Sequence, residues 1–450
     1  MDAKAQPRQM QQLLWQCDLH LLAPFAQALT SECDVRLVRT AVTLLRFLCA
    51  SQQHPLKVRA IADALACDLI SCQAWEKRIQ NLLASPKWSH HLVQDSLWQQ
   101  AHELVELAKF TKRDCLVLWD DSVWEKPETL CDPSLGSVRS LQAKRLNRIR
   151  PRYYTPPKGV TCVPGLRMSA LIVATAKDAR IAGCEFFNTR EHPRGHAHQV
   201  RQQQLSQCVN AWGRQPIHVF DRGYAGWPWL QELLDARVRF TMRWNSAFHI
   251  QAEGKVQPVY HSVSGRKRQK LMVWDAHKRK KKARWVIWRQ ITHPSDSQQR
   301  PMWLVVCSDR KRKPWYLLTN QPIESKEQAR TAILQYSRRW EVEQQFWRLK
   351  HQMQLQTVQL RKPCKRLKLL NLVMLAQNML MSLAFQKEVV IQLLHDWCPR
   401  RGRRMRTQIK VAFERIKTAR TKLRLHTERT NQAMWSAAPH GLKLLLGLPP

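Results

Sequence analysis

Three carboxylates stand where metal-assisted chemistry at phosphorus would want them. Asp120 follows the apolar run CLVLW, Asp221 follows PIHVF and precedes the turn RGYAG, and Glu343 lies in YSRRWEVEQQFWRLK. The two short apolar runs read as buried strands and the third segment as a helix. Carboxylates at strand ends and on a packed helix can converge at one edge of an α/β sheet, where ligand sites in such sheets lie. Hard oxygen ligands suit Mg2+, with Mn2+ able to substitute. Two such ions would activate an attacking oxygen and stabilise a leaving one during in-line displacement. Each acid alone means little, because an Asp at a strand end is more often a turn residue. Asp120 and Asp121 are adjacent, and either can be the first ligand. Successive strand residues point to opposite faces, so the two do not both coordinate. The end of the apolar run favours Asp120 and leaves Asp121 a turn or cap contact.

The helix around Glu343 adds weight to the set. At about 100° per residue, Tyr336, Arg339, Glu343 and Lys350 fall within roughly 60° of one another, with Trp340 and Trp347 flanking them. A face with one acid, two cations, a phenol and two indoles is too polar for ordinary core and too aromatic for ordinary surface. It fits a metal-ligating acid with phosphate clamps beside it and bases stacked alongside.

The chain must supply elements that hold these residues. Residues 9–108 show apolar positions at three and four spacing, as in VRLVRTAVTLLRFL, so a helical region is expected over 1–108. Within it, IADALACDLISCQAWEKRIQNLLAS reads as two helices with a break near 67–71. That is compatible with a helix-turn-helix presenting Gln73, Lys77 and Arg78, and equally with a plain bundle. From Cys115 the pattern changes to strands alternating with helices, an α/β sheet domain over 109–245. The basic, proline-containing stretch 144–158 reads as a loop. Residues 246–314 read as a β-rich basic insertion, where three charge runs interleave with Trp274, Trp285, Trp288 and Trp303 and suggest nucleic-acid contact. The last core strand and a long helix over 325–353 fall in 315–360. A basic helical region, 361–450, follows. Its apolar stretch 369–385 holds Asn371, Gln377, Asn378 and Ser382 and reads as a buried helix, not a membrane span.

Composition points to the partner. Lys plus Arg number 74 against 34 Asp plus Glu, a net charge of +40. Self-repulsion on that scale calls for an anionic partner, and nucleic acid gains affinity from counterion release. A ribosome-like or chromatin-like structural role would carry similar charge. The 13 Cys show no paired CxxC spacing and read as reduced thiols in cytosol. No apolar leader opens the chain, and no Gly-rich phosphate loop is present. His192, His196 and His198 lack a fourth ligand for zinc.

The order Tyr336, two residues, Arg339, three residues, Glu343, six residues, Lys350 resembles the Tyr–Arg–Glu–Lys (YREK) signature of bacterial insertion-sequence DDE transposases, the group called insertion-sequence family four. Upstream, WDDSVWEKP is similar to the segment of the first Asp, FDRGYAG to that of the second, and PWYLLTNQPIES to the strand and turn before the Glu helix. The resemblance spans about 115–350. It implies an RNase H-like core with a β-rich insertion before the Glu, and Asp120, Asp221 and Glu343 as both catalytic and metal-binding residues. It implies that Arg339 and Lys350 hold phosphates, that Tyr336 contacts the DNA backbone, and that Trp315 and Trp340 hold or stack a flipped base during hairpin formation. It further implies a cytoplasmic, nucleoid-associated cut-and-paste enzyme acting on double-stranded DNA, both element ends and target, as a homodimer on paired ends. The rival readings are a nuclease of the same fold without strand joining, and a DNA-binding relic.

Overall fold

In the computed structural model of the chain, the described residues are 5–51, 54–66, 70–126, 132–140, 161–176, 178–188, 190, 195–275, 280–309, 312–398, 413–429 and 440–445. The loop expected over 144–158, most of the basic stretch 398–410, residues 67–69 and His192 lie outside them.

The N-terminal region is helical, as its periodicity requires: α1 (Ala5–Glu32), α2 (Val35–Ala50), α3 (Val58–Leu65), α4 (Cys72–Ala84) and α5 (His91–Phe110). Asp34 caps α2 by accepting from the Arg36 and Leu37 amides at 2.9 and 3.1 Å, and Ser71 caps α4 by accepting from the Ala74 amide. Such caps satisfy amides that a helix start leaves free. α4 buries Trp75, Ile79 and Leu82 and turns Gln73, Lys77 and Arg78 outward.

The sheet begins with β1 (Leu116–Glu125), β2 (Gly136–Arg139), β3 (Cys162–Ala174) and β4 (Ala179–Phe187). It continues through α6 (His196–Trp212), β5 (Ile217–Phe220), α7 (Trp227–Asp235) and β6 (Arg239–Arg243). β1 pairs antiparallel with β3, which pairs antiparallel with β4, whereas β5 lies parallel to β1 and β6 parallel to β5. Each parallel neighbour is reached by a helical crossover, the connection parallel pairing demands. A mixed α/β architecture with one large sheet and helices at both ends is the result, compatible with the RNase H-like class expected. Gly165 sits where three strands crowd together: a Cβ there would lie 2.3 Å from the Trp124 carbonyl oxygen and 2.6 Å from Val138.

After a small hairpin, β7 (His249–Ala252) with β8 (Lys255–Pro258), the inserted segment does not leave the sheet. Strands β9 (Gln269–Asp275), β10 (Lys280–Ile291), β11 (Met302–Asp309) and β12 (Arg312–Thr319) pair antiparallel in sequence, and β12 returns to pair with β6. The whole sheet therefore has ten strands among the described residues. β12 straddles the division expected at 314/315. Trp288 and Trp303 are half-buried and pack against the core, as Trp315 does. The Trp274 side chain lies outside the described residues.

Alternation along β1 divides the core. Leu116 and Leu118 face a cluster shared with the N- and C-terminal helices, and Val117 and Trp119 face a second cluster with α5, α6 and α7. The expected long helix over 325–353 is interrupted. It comprises α8 (Lys326–Ser337), α9 (Trp340–Trp347) and a π-helical turn (Arg348–Gln352). α8 opens on a capping box between Ser325 and Gln328. Beyond lie α10 (Pro363–Phe385), α11 (Lys387–Trp397) and α12 (Phe413–Arg429).

α10 is long and apolar enough to cross a membrane, yet 89% of its apolar window is buried inside the protein. Its polar residues are tied internally. Asn378 accepts from the Ile181 amide at 3.0 Å and donates to the Ile181 carbonyl at 2.9 Å, so the helix covers the outer edge of β4. Gln377 donates to the Gln345 side chain at 2.5 Å and thereby anchors α9. Buried amides bonded to other segments of the protein belong to a core helix.

Candidate active site

β1 does not end at the acids. It runs on to Glu125, because Asp120 to Glu125 keep their pairing with β3. Its ladder with β5 stops earlier, at Trp119 opposite Phe220. Asp120 and Asp221 are the next residues on two adjacent parallel strands, so they project from neighbouring points at the sheet's carboxyl edge. The freed half of β1 is braced by the segment after α9: the Trp124 indole donates to the Leu355 carbonyl at 2.9 Å, and the Glu125 amide to the Gln356 side chain at 2.9 Å.

α9 delivers Glu343 and Arg339 to this edge. Between α8 and α9 the helix tightens, with Arg339, Glu341 and Val342 amides bonding three residues back to Tyr336, Arg338 and Arg339 at 3.0, 2.9 and 3.0 Å. A turn of that kind winds faster than an α-helix, and the π turn after Trp347 winds more slowly. The two deviations have opposite sign, so the polar stripe survives although the single helix expected for it does not.

Arg339 joins the three acids. Its guanidinium lies 3.3 Å from Asp120, 3.9 Å from Asp221 and 2.5 Å from Glu343. Among the described residues no three His, Cys, Asp or Glu side chains already form a metal-ligating cluster; these acids are spaced by the guanidinium they share. Burial pushes the Asp120 carboxyl up to about 7, opposed by Arg339 and reinforced by Asp221. The Arg339 guanidinium is held charged despite burial, chiefly by Asp221, Tyr336 and Glu343.

Tyr336 and Lys350 complete the stripe. The Tyr336 hydroxyl donates to Asp221 at 3.0 Å, and burial, with the Asp221 charge, pushes that phenol up to about 12. The Trp315 ring meets the Tyr336 ring edge-on, centroids 5.1 Å apart. The Lys350 ammonium donates to Ser122 at 2.7 Å, two residues along the same strand face as Asp120, and burial lowers its pKa to about 8. Trp340 and Trp347 are exposed beside Glu343.

All of the expected site residues are thus placed in one region. Asp120, Asp221 and Glu343 each meet Arg339, Tyr336 bonds Asp221, Lys350 bonds Ser122 on the strand of Asp120, Trp315 packs on Tyr336, and Trp340 is exposed to solvent. Asp121 faces the opposite way, toward Arg201 and Tyr224. Neither residue was among the expected site residues. Tyr224, three positions after Asp221 in DRGY, carried a local signal; Arg201, within the glutamine-rich α6, carried none.

A hard divalent cation fits this donor set. Three carboxylates from three elements already gather round one positive group, so negative charge is in excess there even with Asp120 protonated. Residues 187–379 match the family model described as the transposase DDE domain, a span that includes Asp221, Tyr336, Arg339, Glu343 and Lys350. No curated protein matches. Among solved structures, a piggyBac transposase synaptic complex with hairpin DNA aligns over 99% of this chain and 85% of that one, at 10% identity and a TM-score of 0.43.

Proposed function

We propose that this chain, which carries a transposase DDE domain, is a cut-and-paste DNA transposase of the YREK-signature insertion-sequence group. Asp120, Asp221 and Glu343 form its metal-binding and catalytic triad. The observation that carries the proposal is the meeting of those three acids, from β1, β5 and α9, on the single guanidinium of Arg339.

In this reading Asp120, Asp221 and Glu343 would hold Mg2+, or Mn2+ in its place. Bound there, the ions supply an activated oxygen nucleophile and charge stabilisation of the leaving oxygen. The protein's own residues do the rest. Tyr336 fixes the orientation of Asp221 through its hydroxyl. Arg339 exchanges its carboxylates for backbone phosphate when DNA arrives, since a guanidinium matches either partner in a bidentate manner. Lys350, held by Ser122 beside Asp120, supplies a second positive charge to the same strand. Trp340, exposed at the rim, stacks on a base turned out of the duplex, and Trp315 backs Tyr336 from the sheet side.

Four displacements at phosphorus follow at one site. Water cuts one strand at the element end and frees a 3′-hydroxyl. That hydroxyl attacks the opposite strand, closing a hairpin on the element and releasing the flanking DNA. Water reopens the hairpin, and the regenerated 3′-hydroxyl joins target DNA. Two ends must be cut together, so the working form is a homodimer on paired ends. The excess of cations, +40 over the chain, suits a protein that wraps duplex at both ends and target.

The test is excision of a marker flanked by the element's own ends, in cells making the wild-type protein or Glu343→Ala. Excision lost in the variant, with end binding kept, is the expected result. Excision at wild-type frequency in Glu343→Ala would remove the triad assignment.

A further inference from the structure

The candidate acids sit at a weak point of the sheet. Hydrogen bonding between β1 and β5 ends at Trp119 opposite Phe220, one residue short of Asp120 and Asp221. Beyond it β5 is finished and β1 continues beside β3 alone. No sheet bond therefore sets the separation of the two backbones at the level of the two carboxylates. Mg2+ binds in near-ideal octahedral geometry, so such a gap would matter.

Side chains on the other face of β1 span that gap. Asp121 accepts a hydrogen bond from the Tyr224 hydroxyl at 3.0 Å through one oxygen, and its other oxygen is ion-paired with Arg201. The Arg201 guanidinium lies 4.2 Å from the centre of the Tyr224 ring, so the three groups form a closed cluster. Each is fixed from behind. Tyr224 is buried against Phe220 and Trp229, with ring centroids 5.4 and 6.3 Å away. Arg201 rises from α6, which packs on β3.

The cluster is coupled to both acids through the chain. Tyr224 closes the 3-10 turn that starts from Asp221, its amide bonding the Asp221 carbonyl at 3.0 Å. On the other side the Asp121 amide donates to the Asp120 carboxylate at 2.9 Å, so the orientation of Asp120 follows the peptide that Asp121 anchors.

We propose that Asp121, Tyr224 and Arg201 are positioning residues that set the spacing of the Asp120 and Asp221 carboxylates where the β1–β5 ladder stops. The proposal rests on the triad reading above, and it gives Asp121 a role distinct from ligation. Groups that orient metal ligands in this way typically affect metal affinity or activity by about 10- to 100-fold.

The test uses the full-length protein with Tyr224→Phe, Asp121→Asn, their double variant, and Asp120→Ala for reference. Three quantities are measured: binding of Mn2+ by electron paramagnetic resonance, the Mg2+ concentration for half-maximal cleavage of an end-bearing duplex, and the melting temperature. Tyr224→Phe and Asp121→Asn are expected to weaken Mn2+ binding and raise the Mg2+ requirement by about 10- to 100-fold. Binding to the duplex without metal is expected to hold. The double variant is expected to lose no more than the worse single one, because both break one device. Should Tyr224→Phe melt early, Arg201→Lys carries the same comparison. Wild-type Mn2+ affinity in a folded Tyr224→Phe protein would overturn the proposal. So would Asp121→Asn being as inactive as Asp120→Ala while Tyr224→Phe is normal, since Asp121 would then be a ligand. Normal Mn2+ binding and cleavage in Asp120→Ala would instead bring down the triad reading, and the positioning role with it.

Discussion

Two arginine–carboxylate groups in this protein resemble each other in parts and differ in balance. Between α1 and α12, Arg420 and Asp18 form a fully buried pair, 3% and 1% exposed, with two parallel bonds of 3.1 and 2.6 Å. At the sheet edge, Arg339 is shared by three carboxylates whose side chains are 22%, 36% and 37% exposed. The first group is a two-bond ion pair closed to water, with the buried Arg46 guanidinium also drawn to Asp18. It needs nothing more, and it fastens the chain's first helix to a late one. The second is one cation to three anions and faces solvent. Its surplus negative charge is lowered by whatever cation arrives, and its arginine is free to leave for a phosphate. The sign of the excess charge and the exposure, rather than the presence of an ion pair, separate a fastening from a site.

Removing an acid from each group should break that comparison most plainly. Asp221→Ala is expected to reduce Mg2+-dependent cleavage on the order of a thousandfold or more. Metal stabilisation of the transition state is worth several kcal/mol, and each increment of about 1.4 kcal/mol is tenfold. Its melting temperature should hold or rise, because a repulsive charge is lost. Cleavage by single-turnover assay and melting by calorimetry are the two readings, and a drop in melting with cleavage intact would reverse the assignment.

Asp18→Ala is the converse. It leaves Arg420 buried and unpaired, which costs on the order of 3–5 kcal/mol. Urea unfolding should report a loss of that size, while cleavage per folded molecule stays at the wild-type rate. An unchanged unfolding midpoint would mean that the pair fastens nothing.

A smaller effect sharpens the comparison through pH. The Asp120 carboxyl is raised from 3.8 to about 7, first by burial and then by Asp221 and Asp121, against the pull of Arg339. A raised carboxyl binds its proton more tightly in the folded chain. Its stabilising contribution is therefore complete below 3.8 and lost as pH rises through about 7. Metal binding runs the other way, since the ligand must be ionised. Mn2+ affinity should climb by at most about tenfold per pH unit up to pH 7 and then level off. An Mn2+ affinity in the wild-type protein that does not change between pH 5 and 7 would take that proton off Asp120.

Much of this arrangement was legible in the residues. The apolar runs before Asp120 and Asp221 became strands of one sheet because a buried strand needs a continuous apolar segment. The stripe of Tyr336, Arg339, Glu343 and Lys350 reached the same edge as the two Asp residues. The apolar stretch with Asn378 and Gln377 was a core helix, as its amides suggested. Where the reading failed, distant partners had intervened. The helix over 325–353 broke at 338–339 and unwound after 347, changes that local periodicity does not register. The tryptophans at 288 and 303 lie half-buried against the core, packing that their own segment does not register.

By itself the sequence determined the inventory: which acids follow strands, which cations and rings share a helical stripe, and the +40 charge that asks for a polyanion. Residue type and local spacing suffice for that, because they depend on chain neighbours alone. Only the tertiary structure decided that Asp120 turns to Arg339 while Asp121 turns to Tyr224 and Arg201. Those partners stand 219, 103 and 80 residues away along the chain. Which face of β1 meets which helix, and where its ladder with β5 ends, is settled by packing between segments that local pattern never brings together.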